Sequence, residues 1–468
     1  MNLYIDLFIF FYFIAMVLAT ALLVTLAIRE IRHRRAIGLV ELDEDILSES
    51  STPPIAIVAP AYNEEIHVVE SVEGFLRLDY PEVEIIVVND GSTDSTLERL
   101  IEAFDLEPAE RFTTPQLPAG RARQFYRSRT NPRLWVVDKE NGGKADSLNT
   151  GINATRCPLV CCVDADTMLC RDALLRMVDP FLYDPEGVVC VGGTVRIING
   201  CEVEKSDVKS IGMPRSWLAR FQIVEYLGAF LFGRMGFNQL GGNMIVSGAA
   251  GLFLRSAIVE AGGYARNMIG EDAELVVRLH RQEFDSGRKR AIVHLAEPVC
   301  YTEVPEDLGT LARQRDRWHR GLADTLWRNR KMMFNKKYGR IGTVVMPWFF
   351  FFELIAPVIE TLGYLWFIRA IFVGIISWPV ALLFFAVAFL WGLFVAIQSL
   401  YVDHHSFNIY KDGASRRKLF LVAILLNLGY RQFTVFCRVV GFVRYFLGQK
   451  SWGHMRRRGF RRLEGAPA

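Results

Sequence analysis

Hydrophobic and polar positions are segregated along this chain. From about Tyr4 to Ile28 apolar residues run almost unbroken, with Asp6 near the outer end, long enough to cross a bilayer as a helix. No basic stretch precedes the run and no small-residue cleavage site follows it, so it reads as an anchor rather than a removed signal peptide. Arg29, Arg32, Arg34 and Arg35 come next, which sets the N-terminus outside and the following residues in the cytoplasm. Two apolar blocks near the other end, about Val344 to Ile368 and Val380 to Val402, are each long enough to span. Glu353 and Glu360 lie inside the first and are costly there unless they face protein or a water-filled path. A last block, Leu419 to Leu447, is broken by Asn427, Arg431, Gln432, Arg438 and Arg444, too long for one span and too short for two. Arg416-Arg417-Lys418 before it and the basic tail Lys450 to Arg462 after it favour the same side, which predicts a re-entrant or interfacial hairpin with its polar face toward a channel.

Between the apolar ends the pattern changes. An acidic linker, Glu41 to Thr52 with Pro53-Pro54, leads to short apolar runs at Ile55–Pro60, Glu84–Asp90, Leu134–Asp138 and Leu159–Val163. These do not alternate polar with apolar, so they predict strands buried on both faces. Helical periodicity separates them at Glu64–Leu78 and Lys144–Ala154, and strands alternating with helices imply an α/β fold with a largely parallel, doubly wound sheet. Glu107 to Arg133 lacks periodicity and predicts a surface loop; Trp217 to Phe232 predicts an apolar-rich helix, in the core or along a membrane surface.

Composition agrees with this division. Half of the 468 residues are apolar (51%), yet 22% are charged, and the mean hydropathy is +0.19. The net charge of +3 gives no case for nucleic acid. Eight cysteines form no CxxC pair and no Cys/His ligand spacing, which predicts buried free thiols in a reducing compartment. A metal cluster at Cys157, Cys161 and Cys162 is disfavoured, because neighbouring side chains of a strand point to opposite faces.

The chemistry-bearing residues sit at the ends of the predicted strands. Asp164 and Asp166 close Leu159–Val163, where an open α/β sheet places its ligand crevice; read alone they are either a turn or a hard-cation site that also holds phosphate. Asp90-Gly91-Ser92 closes another strand and could bond a base or ribose. Ala61-Tyr62-Asn63-Glu64 opens a helix whose first amides favour an anion, and Gly142-Gly143-Lys144 offers a flexible backbone and a point charge suited to phosphate. Gly270-Glu271-Asp272 opens a helix over Ala273 to Arg281, where the carboxylates are either partners of the helix dipole or a base at the crevice. Gln314-Arg315-Asp316-Arg317-Trp318 could bind pyrophosphate and stack on a sugar, or be a solvated amphipathic face.

In this order the motifs resemble the processive family 2 glycosyltransferases, the membrane synthases of cellulose, chitin oligosaccharide, hyaluronan and poly-N-acetylglucosamine. The resemblance runs from about Pro54 to Trp318 and is nearest the poly-N-acetylglucosamine and hyaluronan branch. It implies a GT-A nucleotide-sugar domain with Mg²⁺ or Mn²⁺ on the cytoplasmic face of a bacterial inner membrane. By family pattern Asp90 and the Ala61-Tyr62-Asn63-Glu64 turn hold the uridine end. Lys144 approaches the nucleotide-sugar, Asp164 and Asp166 hold the metal–diphosphate, and Arg317 assists. Asp272 is the general base, and Glu271, Gln314 and Trp318 meet the acceptor. The implied layout is an anchor (1–28), a linker (29–53), a GT-A domain (54–335), a transmembrane or channel region (344–447) and a basic tail (448–468).

Departures accompany the likeness. Gly270 stands where Thr is frequent in the family, one anchor precedes the domain where several relatives have two, and the tail after Leu447 is too short for the cyclic-dinucleotide-binding domain of bacterial cellulose synthases. Ser247-Gly248-Ala249 is a short match to the acceptor path. The implied activity is polymerisation of a UDP-sugar, with UDP-GlcNAc the first choice, into a β-linked polysaccharide passed through the membrane. The resemblance leaves room for a small accessory membrane subunit. A non-processive transferase and a transporter or receptor with a nucleotide-sensing domain are the alternatives.

Overall fold

A computed structural model describes residues 2–36, 52–113, 115–204, 206–407 and 409–449. Most of the acidic linker (41–51) and the basic tail from Lys450 lie outside the described residues. The described residues group into two compact units. A sheet unit takes residues 33–36, 52–213 and 241–304, and a helical unit takes residues 2–32, 214–240 and 305–449.

The sheet unit holds twelve strands: β1 (Ile55–Ala61), β2 (Val83–Asn89), β3 (Leu106–Ala109), β4 (Ala122–Ser128), β5 (Leu134–Lys139), β6 (Leu159–Val163), β7 (Met168–Leu169), β8 (Val188–Ile197), β9 (Glu202–Glu204), β10 (Asp207–Ser210), β11 (Ala250–Leu254) and β12 (Ala291–Thr302). Ten form one sheet in the order β3-β4-β5-β2-β1-β6-β11-β8-β12-β7; β9 and β10 form a hairpin. The run β5-β2-β1-β6 is parallel, as is β8 with β12, whereas β11 enters antiparallel between β6 and β8. Every residue of β6 is buried, as its unbroken apolar run requires. Val58, Val160, Leu148, Ile152, Leu275 and Leu279 meet in the core between sheet and helices.

The expected surface loop over 107–133 is corrected here: it contributes β3 and β4, antiparallel additions beside β5. β4 lies one strand in from the sheet edge with most of its residues partly solvated, so arginines are tolerated along it and no apolar run marks it. Lys144–Ala154 is a helix as the periodicity predicts. The helix expected over 64–78 is shorter, Val68–Leu76, because residues 64–67 form a turn in which His67 N and Val68 N both donate to the Glu64 carbonyl. The eight cysteines are free thiols; six are buried, and Cys157 and Cys170 are half-buried.

In the helical unit four segments are long and apolar enough to cross a membrane by length and composition: Tyr4–Arg34, Ile341–Val373, Trp378–Ser406 and Gly413–Phe446. The last is the block expected to fold as a hairpin. Helical conformation fails at Leu428 (φ −112°) and Gly429 (φ 100°), which divides helix Gly413–Leu425 from helix Arg431–Phe446. The second half packs along helix Leu308–Arg328. Trp217–Leu227 is helical and continues with π geometry over Gly228–Arg234. Glu360 stands 3.2 Å from Arg431 and Glu353 stands 3.8 Å from Arg438, so both intramembrane-type carboxylates face cations of the protein.

Candidate active site

The parallel strands bring their C-terminal ends to one edge of the sheet. β1 ends at Ala61, β2 at Asn89, β5 at Lys139 and β6 at Val163, and each is followed by one of the polar segments. That edge is where doubly wound folds bind ligands.

Asp90 leaves β2 with its carboxylate turned into its own unit, 3% exposed. Oδ1 accepts from Lys139 Nζ at 2.6 Å and from Gly142 N at 2.9 Å, and Oδ2 accepts from Gly143 N at 2.8 Å. Three donors of the facing segment, at and just after the end of β5, thus hold the Asp90 carboxylate. Lys139, 0% exposed, also reaches Asp146 Oδ2 at 2.8 Å and the Glu140 carbonyl at 2.6 Å. Asp146 in turn takes Arg266 Nε at 2.8 Å and Gly120 N at 3.0 Å. This buried chain of charge fixes the loop before helix Lys144–Ala154 and so fixes where Lys144 begins. Sequence reasoning missed Lys139 and Arg266. The one available signal was Asp138-Lys139 closing an apolar run.

Across the β1 end, Asn63 takes a left-handed backbone (φ 55°). Its N–H donates to Ser92 Oγ at 3.1 Å and its Oδ1 accepts from Thr93 N at 2.8 Å. Glu64 N donates to Thr96 Oγ1 at 2.9 Å. The Tyr62-Asn63-Glu64 turn and the Asp90-Gly91-Ser92 loop are thereby stapled into one wall, with Ala61 buried behind it and the Tyr62 ring 44% exposed.

The second wall carries the charge. Lys144 Nζ lies 2.5 Å from Asp164 Oδ1 and 3.7 Å from Glu271 Oε1. Burial works against its ammonium, but Asp164, Glu271 and Asp272 outweigh it and hold the lysine above its ordinary range, hence charged. Glu271 is 4% exposed, and burial raises its carboxyl against the pull of Lys144. Asp272 Oδ2 accepts from Gly248 N at 3.1 Å and Oδ1 from Ala273 N at 2.9 Å. Helix Glu271–Asp285 starts two residues earlier than expected, after Gly270 at φ 86°, ψ 48°. That left-handed conformation explains the departure from Thr, since a β-branched residue is strained there. A small recess opens between Lys144 and Asp272, walled by Cys162, Val246, Gly248, Phe253 and Tyr264. Burial pushes the Tyr264 hydroxyl well up and the Cys162 thiol to about 12, so both walls are neutral.

Asp164 and Asp166 follow β6 by one and three residues, both half-buried. Among the described residues no three His, Cys, Asp or Glu converge on a point. Two carboxylates fit a hard divalent cation that completes its shell with phosphate and water, and they do not fit a structural zinc.

Gln314, Arg317 and Trp318 belong to the helical unit, on helix Leu308–Arg328. Gln314 is buried and the Trp318 ring is 43% exposed. Behind the ring stands Arg315, 1% exposed, with its guanidinium 4.4 Å over the indole. Arg315 Nη2 donates to Glu225 Oε2 at 2.6 Å, and Tyr430 Oη donates to the same oxygen at 2.6 Å. Glu225 and Tyr430 are supports that the sequence reading passed over, because a charge inside an apolar helix has no motif.

Residues 53–321 match the family described as Glycosyltransferase like family 2. Over 278 residues the chain is 31% identical to the poly-beta-1,6-N-acetyl-D-glucosamine synthase of Staphylococcus aureus (strain COL), covering 59% of this chain and 56% of that protein. The same-named enzyme of Staphylococcus epidermidis is 30% identical over 276 residues, with the same coverage. The chain thus spans just over half the length of the curated relatives it matches. A solved mannosyltransferase from Pyrobaculum calidifontis, in complex with GDP-Man and Mn²⁺, superposes with a TM-score of 0.53 at 17% identity, covering 92% of this chain and 99% of that one. At that identity the likeness is one of fold.

Proposed function

The chain belongs to glycosyltransferase family 2 as a nucleotide-sugar-dependent enzyme of GT-A fold, and from that premise we propose that it is a processive, inverting polysaccharide synthase of a bacterial inner membrane. The observation that carries the reading is the meeting of Lys144, Asp164, Glu271 and Asp272 around Gly248 at the C-terminal edge of the parallel strands. UDP-GlcNAc is the proposed donor, supported by the relatives' printed names. The catalytic unit faces the cytoplasm, and the four long apolar helices cross the bilayer and pass the product through it.

Asp272 is the proposed base. Each of its oxygens accepts one backbone amide, which orients the carboxylate and leaves lone pairs toward the recess. It takes the proton of the acceptor hydroxyl. That oxygen bonds the anomeric carbon as the bond to the diphosphate oxygen breaks on the opposite face, inverting the configuration. Lys144, kept charged, pairs with the departing diphosphate. Asp164 and Asp166 would hold Mg²⁺ or Mn²⁺, which supplies neutralisation of diphosphate charge when bound. The uridine end rests on the Ala61–Glu64 wall. Asp90 joins that wall at the uridine end, its carboxylate also holding the facing Gly142-Gly143 loop. Trp318 and Gln314 meet the acceptor sugar, with Glu271 beside the base, and Arg317 assists at the diphosphate.

The test is UDP release by the full chain in membranes given UDP-GlcNAc, UDP-Glc or UDP-GlcA, followed by analysis of product length and linkage. Release from UDP-GlcNAc that needs a divalent cation and yields a long β-linked polymer is expected. Addition of a single sugar would replace the processive reading with the non-processive one. No release from any donor would remove both.

A further inference from the structure

Helix Leu308–Arg328 is joined to helical segment Ile341–Val373 by a connection whose charge is one-sided. Between Asp324 and Glu353 the chain has no carboxylate, yet it carries Arg328, Arg330, Lys331, Lys336, Lys337 and Arg340. All six are exposed. The connection is built, not slack. Met332 N donates to the Asn329 carbonyl at 2.9 Å, Tyr338 N to the Asn335 carbonyl at 3.1 Å, and Phe334 N to the Gly342 carbonyl at 2.8 Å. Met332 and Tyr338 are buried and pin it from below.

Two large rings point out among the cations: Trp327 is 60% exposed and Phe334 is 63% exposed. Phe334 also holds a left-handed backbone at φ 58°, unfavourable for a bulky residue. A bulky, outward-facing residue held in that backbone region is an outlier of the kind found at binding surfaces. The Phe351 ring lies 6.4 Å from that of Phe334, 42% exposed, on the apolar segment that follows. Arg330 lies 4.9 Å over the Trp327 ring. Cations, two exposed aromatic rings and an apolar helix thus adjoin one another within residues 327–373. Those three suit the headgroup, interface and hydrocarbon of a bilayer.

We propose that residues 327–340 form a binding site for anionic phospholipid headgroups, with the phosphodiester seated among Arg330, Lys331, Lys336 and Lys337 and the rings of Trp327 and Phe334 in the interface. This rests on the reading that Ile341–Val373 spans a membrane. The site selects lipids by charge and anchors the end of the helix that carries Trp318.

The experiment uses the full chain, exposed in neutral detergent micelles to equal amounts of phosphatidylglycerol and phosphatidylcholine, repurified, and its bound lipid quantified. Enrichment of phosphatidylglycerol by about tenfold is expected, falling as salt rises. The variant R330Q/K331Q/K336Q/K337Q should reduce the enrichment to about unity. If that variant fails to fold, K331Q and K336Q singly should each lower it about threefold. Phe334→Gly, which relieves the backbone, should raise the unfolding temperature while weakening retention of both lipids. Equal enrichment in wild type and a folded charge variant overturns the proposal. So does displacement of the lipid by a short oligonucleotide, which would make this a general polyanion surface. Release of the chain from membranes by an alkaline wash without detergent would instead defeat the membrane-spanning reading.

Discussion

Replacing Lys139 with methionine keeps the stem of the side chain and removes one ammonium from a fully buried site. The nitrogen it deletes is 2.6 Å from Asp90 Oδ1, 2.8 Å from Asp146 Oδ2 and 2.6 Å from the Glu140 carbonyl. Removing one partner of a buried ion pair costs roughly 3–5 kcal/mol, because the other charge stays buried and uncompensated. Here the lower figure applies. Asp146 keeps Arg266 and the Gly120 amide, and Asp90 keeps the amides of Gly142 and Gly143. At about 2–4 °C per kcal/mol for a domain of this size, a cost of about 3 kcal/mol lowers the unfolding midpoint by about 6–12 °C. Thermal unfolding of the detergent-solubilised chain, followed by tryptophan fluorescence, reads that shift; Trp135 on β5 lies near the change. The local consequence is separable. With the ammonium gone, Asp90 is tied to the loop by the amides of Gly142 and Gly143 but no longer to the end of β5, so the start of Lys144 is held less firmly. UDP affinity should then fall even well below the midpoint. The companion Asp90→Asn removes the excess charge, so the double variant should be less unstable than the two singles summed, by about 1–3 kcal/mol. A midpoint within about 2 °C of wild type, with UDP affinity unchanged, would refute the idea that this network positions the loop.

Asp272→Asn should lower transfer by about 10²–10⁴-fold while UDP affinity stays near wild type, since only proton abstraction is lost; collapse of UDP binding in a titration would show that the role is wrong. Asp166→Ala should weaken nucleotide binding in the presence of Mg²⁺ or Mn²⁺ and leave the weak binding seen with chelator, and an unchanged dependence on the cation would remove Asp166 from the site. Burial raises the Glu271 carboxyl above its ordinary 4.5, so the folded chain holds that proton more tightly than the unfolded chain and its ionisation costs stability as pH rises through the raised value. Glu271→Gln should therefore gain stability over wild type as pH climbs from about 4 to 7, measured by thermal unfolding across that range, and a constant difference would refute the burial argument. Gly270→Thr, toward the residue frequent in the family, should cost on the order of 1–3 kcal/mol because of the φ of 86°, seen as a lowered midpoint; a stabilised variant would show that the backbone there is free to change.

The strands that form the parallel centre were legible because burial on both faces writes an unbroken apolar run, as in β1, β2 and β6. β4 was illegible for the opposite reason. It lies beside the sheet edge with most of its residues partly solvated, so Arg123 and Arg127 satisfy it as well as apolar residues would. In the site, Asp164, Asp272 and Lys144 stood out as charges at strand ends or helix starts. Their supports did not. Lys139 and Asp146 are buried ions whose meaning is a distance between segments, and Arg315 with Glu225 joins two helices about ninety positions apart in the chain. Pattern along a sequence reports what faces water or core at each position; it carries little about which buried charge finds which.

The short match Ser247-Gly248-Ala249 gains its meaning from the same kind of distance. A Cβ on residue 248 would stand 2.8 Å from Lys144 Nζ and 2.9 Å from Asp272 Oδ2, closer than side-chain carbons approach such atoms. The ammonium and the carboxylate therefore flank a bare stretch of backbone, and Gly248 N itself donates to the carboxylate. Any side chain there would push one group away from the recess or rotate Asp272 off its amide. The separation between Lys144, the proposed partner of the diphosphate, and Asp272, the proposed base, is thus set by an absent side chain. A proton transfer tolerates little misplacement of either group, so the chemistry constrains the backbone at 248 as strictly as it constrains the carboxylate at 272.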